Sequence, residues 1–340
     1  MPQPGRVGGT HAALGAMLLA SMTAAVATQT TEVPNPYRVE EGWAKMPAGR
    51  TWGSTSAVEP DRAGNIWVGE RCGANSCADS TLAPILQFDR TGMLIKSFGE
   101  GTLLFPHGFH VDPDGNIWVT DARGAAGKGH QVLKFSPQGK LLLALGKPGV
   151  AGDGPDTFNQ PSDVVVAANG DIFVADGHDA GSNARIVKFT KEGRFIKSWG
   201  KRGAAHGEFD TPHAIAIDSK GRVFVGDRGN NRIQIFDQEG THLATWTQFG
   251  RPSGVFFDHL DRIIVADSES DDIENPGWDM GIRIGDAATG ALNEFVLYPW
   301  GDPRVRAGNG AEFAVVDRDG NIYGGEPRPR RLQKYVRVRP

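Results

Sequence analysis

Cysteine is almost absent from this chain: among 340 residues there are two, Cys72 and Cys77. With no further thiol to complete a cysteine metal site, the pair in Arg71-Cys-Gly-Ala-Asn-Ser-Cys77 reads as a small disulfide loop. A 3.6-residue apolar period is missing throughout, which excludes a helical solenoid. Positive charge is not in excess either. The formal net charge is −4, so no basic surface points to nucleic acid. The chain also lacks a Gly-x-Ser-x-Gly elbow and a glycine-rich phosphate loop ahead of a helix, so neither a serine triad nor a site of that phosphate-binding type is supported.

What the chain has in quantity is glycine and proline, 46 and 21 residues, placed in regular turns rather than in a low-complexity block. Many short strands fit that pattern. Hydrophobic residues make up 39% and charged residues 22%, the balance of a globular protein long enough to bury a large core. At the start, Arg6, the apolar segment Ala12–Ala20 and the small-x-small triplet Ala25-Val-Ala27 read as a secretory signal peptide over residues 1–27. The apolar segment is short for a spanning helix, and an uncleaved anchor is the alternative. The expected product is exported, periplasmic or secreted, with no membrane contact after cleavage. Residues 28–35 are expected to be a loose leader and residues 36–340 a single domain.

Six copies of one pattern follow, each an apolar run, a tight turn, a second apolar run and a closing acid. The clearest are His107-Gly-Phe-His-Val-Asp-Pro-Asp-Gly-Asn-Ile-Trp-Val-Thr-Asp121 and His213-Ala-Ile-Ala-Ile-Asp-Ser-Lys-Gly-Arg-Val-Phe-Val-Gly-Asp227. One column reads Ser56, His107, Ser162, His213, Ser253, Glu312, each 14 positions before its closing acid: Glu70, Asp121, Asp176, Asp227, Asp267 and Glu326. A third run, as in Val132–Phe135 or Ile186–Phe189, and a fourth ending in Leu145-Gly146 or Trp199-Gly200 complete a unit. Four antiparallel strands per unit predict an all-β, six-bladed β-propeller. The sixth unit runs out after Leu332–Tyr335, so Tyr37–Trp43, ahead of the first blade, is expected to supply its outer strand and close the ring.

The column carries the chemistry. His107, His213 and Glu312 open the inner strands of alternate blades, roughly 120° apart if the blades are wedges about one axis. Two imidazoles and a carboxylate with open positions suit zinc or a non-haem iron, either of which can polarise an oxygen or activate water. The competing reading is that the histidines satisfy backbone groups in a wet channel and Glu312 pairs with an arginine. Ser56, Ser162 and Ser253 between them are small and leave room for a ligand. Arg71 and Arg228 follow closing acids directly and can clamp a carboxylate, or else pair with the neighbouring Glu70 and Asp227. His178, after Asp176-Gly177, is a candidate general base or an exposed loop histidine. His110, three residues after His107, is expected on the opposite face. The closing acids read as structural, bonding turn amides.

With those residues in hand, the chain resembles the NHL-repeat six-bladed propellers, and within them the peptidyl-α-hydroxyglycine α-amidating lyases, over roughly residues 50–336. Phe105–Asp121, Gln160–Val166, Ile172–Gly177, Ala184–Phe189 and Pro212–Ala216 carry the likeness. It implies a column of three zinc-binding histidines, which His107 and His213 match, with Glu312 where the third belongs. Arg71 falls on an arginine near the active site and Arg228 on one that contacts the substrate carboxylate. The lyases' catalytic tyrosine is His178 here, and Phe313 stands at a calcium-binding aspartate. The implied function is a metal-dependent lyase, catalytic through Arg71 and His178, acting on a small-molecule or peptide substrate of carbinolamide type, as a monomer. A lactonase-type hydrolase using calcium, or a non-catalytic propeller binding a peptide, glycan or protein, are the alternatives.

Overall fold

The 14-residue spacing becomes one hairpin per copy. In blade two, Pro106–Val111 turns through Asp112–Asn116 into Ile117–Asp121. Asp112 Oδ1 accepts the amides of Asp114 and Asn116 at 3.0 and 2.9 Å, a side-chain turn of the kind that favours Asp at its first position. Gly115 takes φ +81° there, a backbone shape that L residues avoid. The same acid recurs as Asp218, Asp258 and Asp317, so the turns are built alike.

A computed structural model describes residues 1–2, 33–298 and 309–338. It contains six four-stranded antiparallel sheets. Five are consecutive: their inner strands are Thr55–Pro60, Pro106–Val111, Pro161–Val166, Pro212–Ile217 and Gly254–Phe257. The sixth has Phe313–Val316 innermost, then Ile322–Glu326 and Arg331–Arg337, with Tyr37–Glu40 outermost. This is a six-bladed propeller closed by its N-terminal strand. The second strands of all blades but the fifth are buried along their whole length, and in the fifth all but Arg262, because neighbouring blades cover both faces. Outer strands such as Leu94–Phe98 alternate between shielded and exposed.

Closure is specific. Tyr37 pairs with Arg337 and Glu40 with Lys334 in antiparallel register. Pairing stops at Glu40, and Trp43 turns inward to meet Tyr323 and Phe88 at ring distances of 4.8 and 6.4 Å. The expected signal peptide, apart from residues 1–2, and most of the expected leader lie outside the described residues. Among the described residues, no helix is long and apolar enough to cross a membrane. Cys72 and Cys77 form a disulfide, with Cα atoms 5.1 Å apart, directly after Arg71.

The closing acids are buried struts. Glu70 accepts the amides of Gly53 and Gly73 at 2.8 and 2.9 Å, Asp121 those of Leu104 and Phe105, and Asp227 that of Asp210 at 2.7 Å. Burial pushes Asp121 and Asp176 up to about 6 and Glu326 up to about 7, against the hydrogen bonds and arginines that favour the charged form.

Deleting residues 28–45 exposes the Arg331–Arg337 edge and strips the Tyr37 and Trp43 burial. The expected drop in melting temperature is about 5 °C or more; an unchanged Tm removes the closure from the stability of the ring. The raised acids set a pH slope. A carboxyl whose folded pKa exceeds its unfolded one stabilises fully below about pH 4, and that contribution is lost as pH rises through the folded value. Melting temperature is therefore expected to rise from pH 8 toward pH 5, and Asp121→Asn to flatten part of that slope. An identical slope in the variant overturns the assignment for Asp121.

Candidate metal centre

In the first four blades the strand register slips at the column residue. Pro212 pairs with Asp227 and Ala214 with Gly226, leaving His213 as the extra residue; Ser56 and Ser162 sit in the same slip, and His107 with Gly108 in blade two. A bulge of this kind re-aims a side chain that the pleat would otherwise send into a blade interface. It also breaks the alternation expected for His110. That residue pairs with Glu59 at 3.1 Å and lines a cavity of about 130 Å³ enclosed by the inner strands of all six blades.

Each histidine is then tied to the next blade. His107 Nδ1 donates to Ser162 O at 2.6 Å, and His213 Nδ1 donates to Ser253 O at 2.6 Å. A carbonyl only accepts, so both rings carry their proton on Nδ1 and present a bare Nε2. Both Nε2 atoms lie 3.4 Å from the same oxygen, Glu312 Oε1. Phe313 packs beneath, its ring 5.7 and 5.9 Å from the two imidazoles. The serines do more than leave space: Ser56 and Ser162 donate to the carbonyls of His107 and Pro212 at 2.9 and 2.6 Å.

His178 joins this group. It is buried rather than exposed, at 7% accessibility, with ring centroids 4.4 Å from His107 and 5.1 Å from His213. Its Nδ1 is bonded to Asp179 Oδ1 at 2.8 Å, which again leaves Nε2 bare. One ligand atom from each of His107, His178, His213 and Glu312 lies within 4.8 Å of the others. The three Nε2 atoms and Glu312 Oε2 have no hydrogen-bond partner among the described residues.

Four lone-pair-bearing atoms facing one another in a buried channel repel, and a shared cation removes the conflict. The 3.4 Å spacings agree with the edge of a tetrahedral shell whose metal–ligand bonds are about 2.0 Å, about 3.3 Å. The residues therefore fit a metal. Burial, with Arg228 adding to it, pushes His213 down to about 3, so it is neutral as a ligand must be. His178 is also held well below its ordinary value by burial and the other histidines, against its bond to Asp179. Burial works against the Glu312 carboxylate, and positive charge placed at the His107 and His213 Nε2 atoms, where a bound cation would sit, holds it ionised, well below the usual range.

Both arginines turn to the centre and away from the acids beside them. Arg71 Nη2 is 3.8 Å from Glu312 Oε2, while Glu70 is taken by Arg50 at 2.5 Å. Arg228 Nη1 is 4.0 Å from Glu312 Oε1 and 3.2 Å from Glu269, while Asp227 is taken by Arg232 at 2.7 Å. Burial lowers Arg71 to about 10, still a cation at neutral pH. Its guanidinium lies over Phe105, 3.6 Å from the ring centroid. Phe105, Asp179 and Glu269 went unread in the sequence. A signal existed, since Asp179, His178 and Glu269 all follow closing acids within three positions.

Replacing His107, His213 or Glu312 by Ala is expected to lower metal affinity at least about tenfold, measured by metal analysis after dialysis. Ser162→Ala is expected to keep the metal, because His107 is held by the Ser162 carbonyl rather than its hydroxyl. A wild-type protein that takes up no zinc, iron or calcium refutes the site.

The NHL repeat family model matches residues 158–189 and 209–236, the inner three strands of blades three and four. NHL repeat-containing protein 3 of Homo sapiens is 35% identical over 254 residues, 72% of this chain and 69% of the human protein. Peptidyl-alpha-hydroxyglycine alpha-amidating lyase 1 of Drosophila melanogaster is 27% identical over 347 residues, 92% of this chain and 62% of the fly protein. Among solved structures, a gluconolactonase from Xanthomonas campestris superposes with a TM-score of 0.56 at 15% identity, covering 89% of this chain and 96% of that one. At that identity the likeness concerns the fold alone. With the repeat matched in two adjacent blades and a curated NHL repeat-containing protein covered over two thirds of its length, the chain belongs to the NHL-repeat family.

Proposed function

We propose that this protein is an exported, zinc-dependent lyase that cleaves an N-acyl-α-hydroxyglycine or a similar carbinolamide to an amide and glyoxylate. The observation that carries this reading is the approach of Arg71 and Arg228, from opposite blades, to one buried His/Glu group. A site built around a carboxylate-bearing substrate needs cations beside the reacting carbon, and a channel that only binds a partner does not. The fly amidating lyase, matched along 92% of this chain, supports it. Two imidazoles and one carboxylate, with His178 beside them, suit zinc or iron better than calcium, which prefers oxygen ligands throughout. The Cys72–Cys77 disulfide is in keeping with export.

The chain's own groups divide the work. Arg228 and Arg71 receive the substrate carboxylate in charge-assisted hydrogen bonds and fix the hydroxyl over the centre. His107, His213 and Glu312 would hold a zinc ion, which would supply Lewis acidity at the centre. His178 Nε2 takes the hydroxyl proton while Asp179 holds the ring through Nδ1. As the carbon–oxygen double bond forms, the carbon–nitrogen bond breaks and its electron pair leaves on the amide nitrogen. His178 returns the proton to that nitrogen, so amide and glyoxylate account for every atom.

Incubation of the purified chain with N-acyl-α-hydroxyglycines is expected to release glyoxylate and amide in equal amounts. His178→Ala is expected to lower kcat on the order of 100-fold or more while bound metal persists. Arg228→Gln is expected to act mainly on KM, about tenfold or more. Lactone hydrolysis without glyoxylate release replaces the lyase reading by the hydrolase one.

A further inference from the structure

Two positions after each closing acid lies a second column: Cys72, Arg123, His178, Gly229, Glu269 and Arg328. The closing acids end the second strands, and of this column Arg123, His178 and Arg328 line the cavity beside Glu312. Blades two and six carry arginine there, on either side of blade one with its Arg71. Arg71, Arg123, Arg328 and Arg330 line one cavity of about 280 Å³, together with His178 and Glu312.

The arc is built. Arg71 and Arg123 both lie over the Phe105 ring, at 3.6 and 4.6 Å from its centroid. Arg71 is 4% accessible and is aimed by Asn75 Oδ1 at 2.9 Å and Pro106 O at 3.3 Å. Arg328 and Arg330 alternate with Pro327 and Pro329, whose rings restrict the backbone that presents them. Arg123 has Asp179 at 3.3 Å. Arg330 touches only a carbonyl, Gly73 O at 3.4 Å, and neither it nor Arg328 has a carboxylate partner among the described residues. Four guanidiniums thus share a cavity in which, among the described residues, the one lining carboxylate, Glu312, is turned to the metal group. A lone α-carboxylate, met by Arg71 and by Arg228 across the centre in blade four, leaves Arg123, Arg328 and Arg330 unanswered.

We infer that the cavity is a second anion subsite and that the substrate is a dianion. One carboxylate adjoins the reacting carbon and faces Arg71 and Arg228; a further carboxylate, sulfate or phosphate, on the same small molecule or terminal residue, faces Arg123, Arg328 and Arg330 from blades two and six. The inference rests on the lyase reading for the first carboxylate only.

Calorimetry with the mature chain separates the two ideas. The probes are N-acetylglycine, with one anionic group, and N-succinylglycine and N-(phosphonoacetyl)glycine, each with a second. At least one of the latter is expected to bind on the order of 10- to 100-fold tighter than the first. The ratio is expected to fall toward one in Arg328→Gln/Arg330→Gln, with Arg123→Gln as an independent single variant. The carboxylate and phosphonate arms show which anion fits. Equal binding of all three probes, or a preference that survives both variants, overturns the subsite. If the dianion preference holds while no N-acyl-α-hydroxyglycine is cleaved, the lyase reading falls and the subsite stands. If cleavage occurs without that preference, the subsite falls alone.

Discussion

Two hydrogen bonds that cross blade boundaries, His107 Nδ1 to Ser162 O and His213 Nδ1 to Ser253 O, determine what the channel presents. Each spends the imidazole proton on a backbone carbonyl of the next blade. That fixes the tautomer, holds the ring against rotation and leaves the opposite nitrogen as an acceptor with no hydrogen-bond partner among the described residues. The same bonds help to tie blade two to three and blade four to five. A structural strut and a ligand orientation are therefore one contact, and neither can be altered without the other.

Glu312 is the electrostatic hub of this arrangement. It stands 3.4 Å from each of two bare imidazole nitrogens and within 4.0 Å of two arginines from opposite blades. Burial disfavours its charge, and the surrounding groups restore it. A glutamate can do here what a third imidazole cannot, because its two oxygens reach in different directions: Oε1 toward the histidines, Oε2 toward Arg71. It also lowers the net charge of a loaded site, which shifts more of the work of attracting an anionic ligand onto the arginines around the mouth. Phe313 closes the floor and separates the donor group from the apolar cavity below, where Asp163 and the Glu59–His110 pair lie.

The propeller was legible in the sequence because each blade is local. A 15-residue copy contains both strands of a hairpin, its turn acid and its closing acid, so the repeat alone specifies pairing and burial. The alternation of His107, His213 and Glu312 was legible for the same reason: equal positions in equal units face the axis. Ring closure could be read from a blade that lacked a strand and a segment that lacked a blade.

What the sequence could not fix were contacts between units and departures from the strand period. His110 changed sides because a bulge at His107 inserts one residue into the alternation. Arg71 turned to Glu312, and Arg228 to Glu269 and Glu312, rather than to the acids beside them, because Arg50 and Arg232, brought in by the fold, had already satisfied those acids. Of the two readings open for His178, a general base or an exposed loop histidine, the exposed one fell away only when the mouths of three blades converged and buried the ring beside His107 and His213. The sequence by itself determined the repeat, the strands and the residues that face the axis, since those follow from short-range periodicity. Only the tertiary structure decided which lone pairs are left bare and which charges meet, since those depend on separations across the ring that no local pattern encodes.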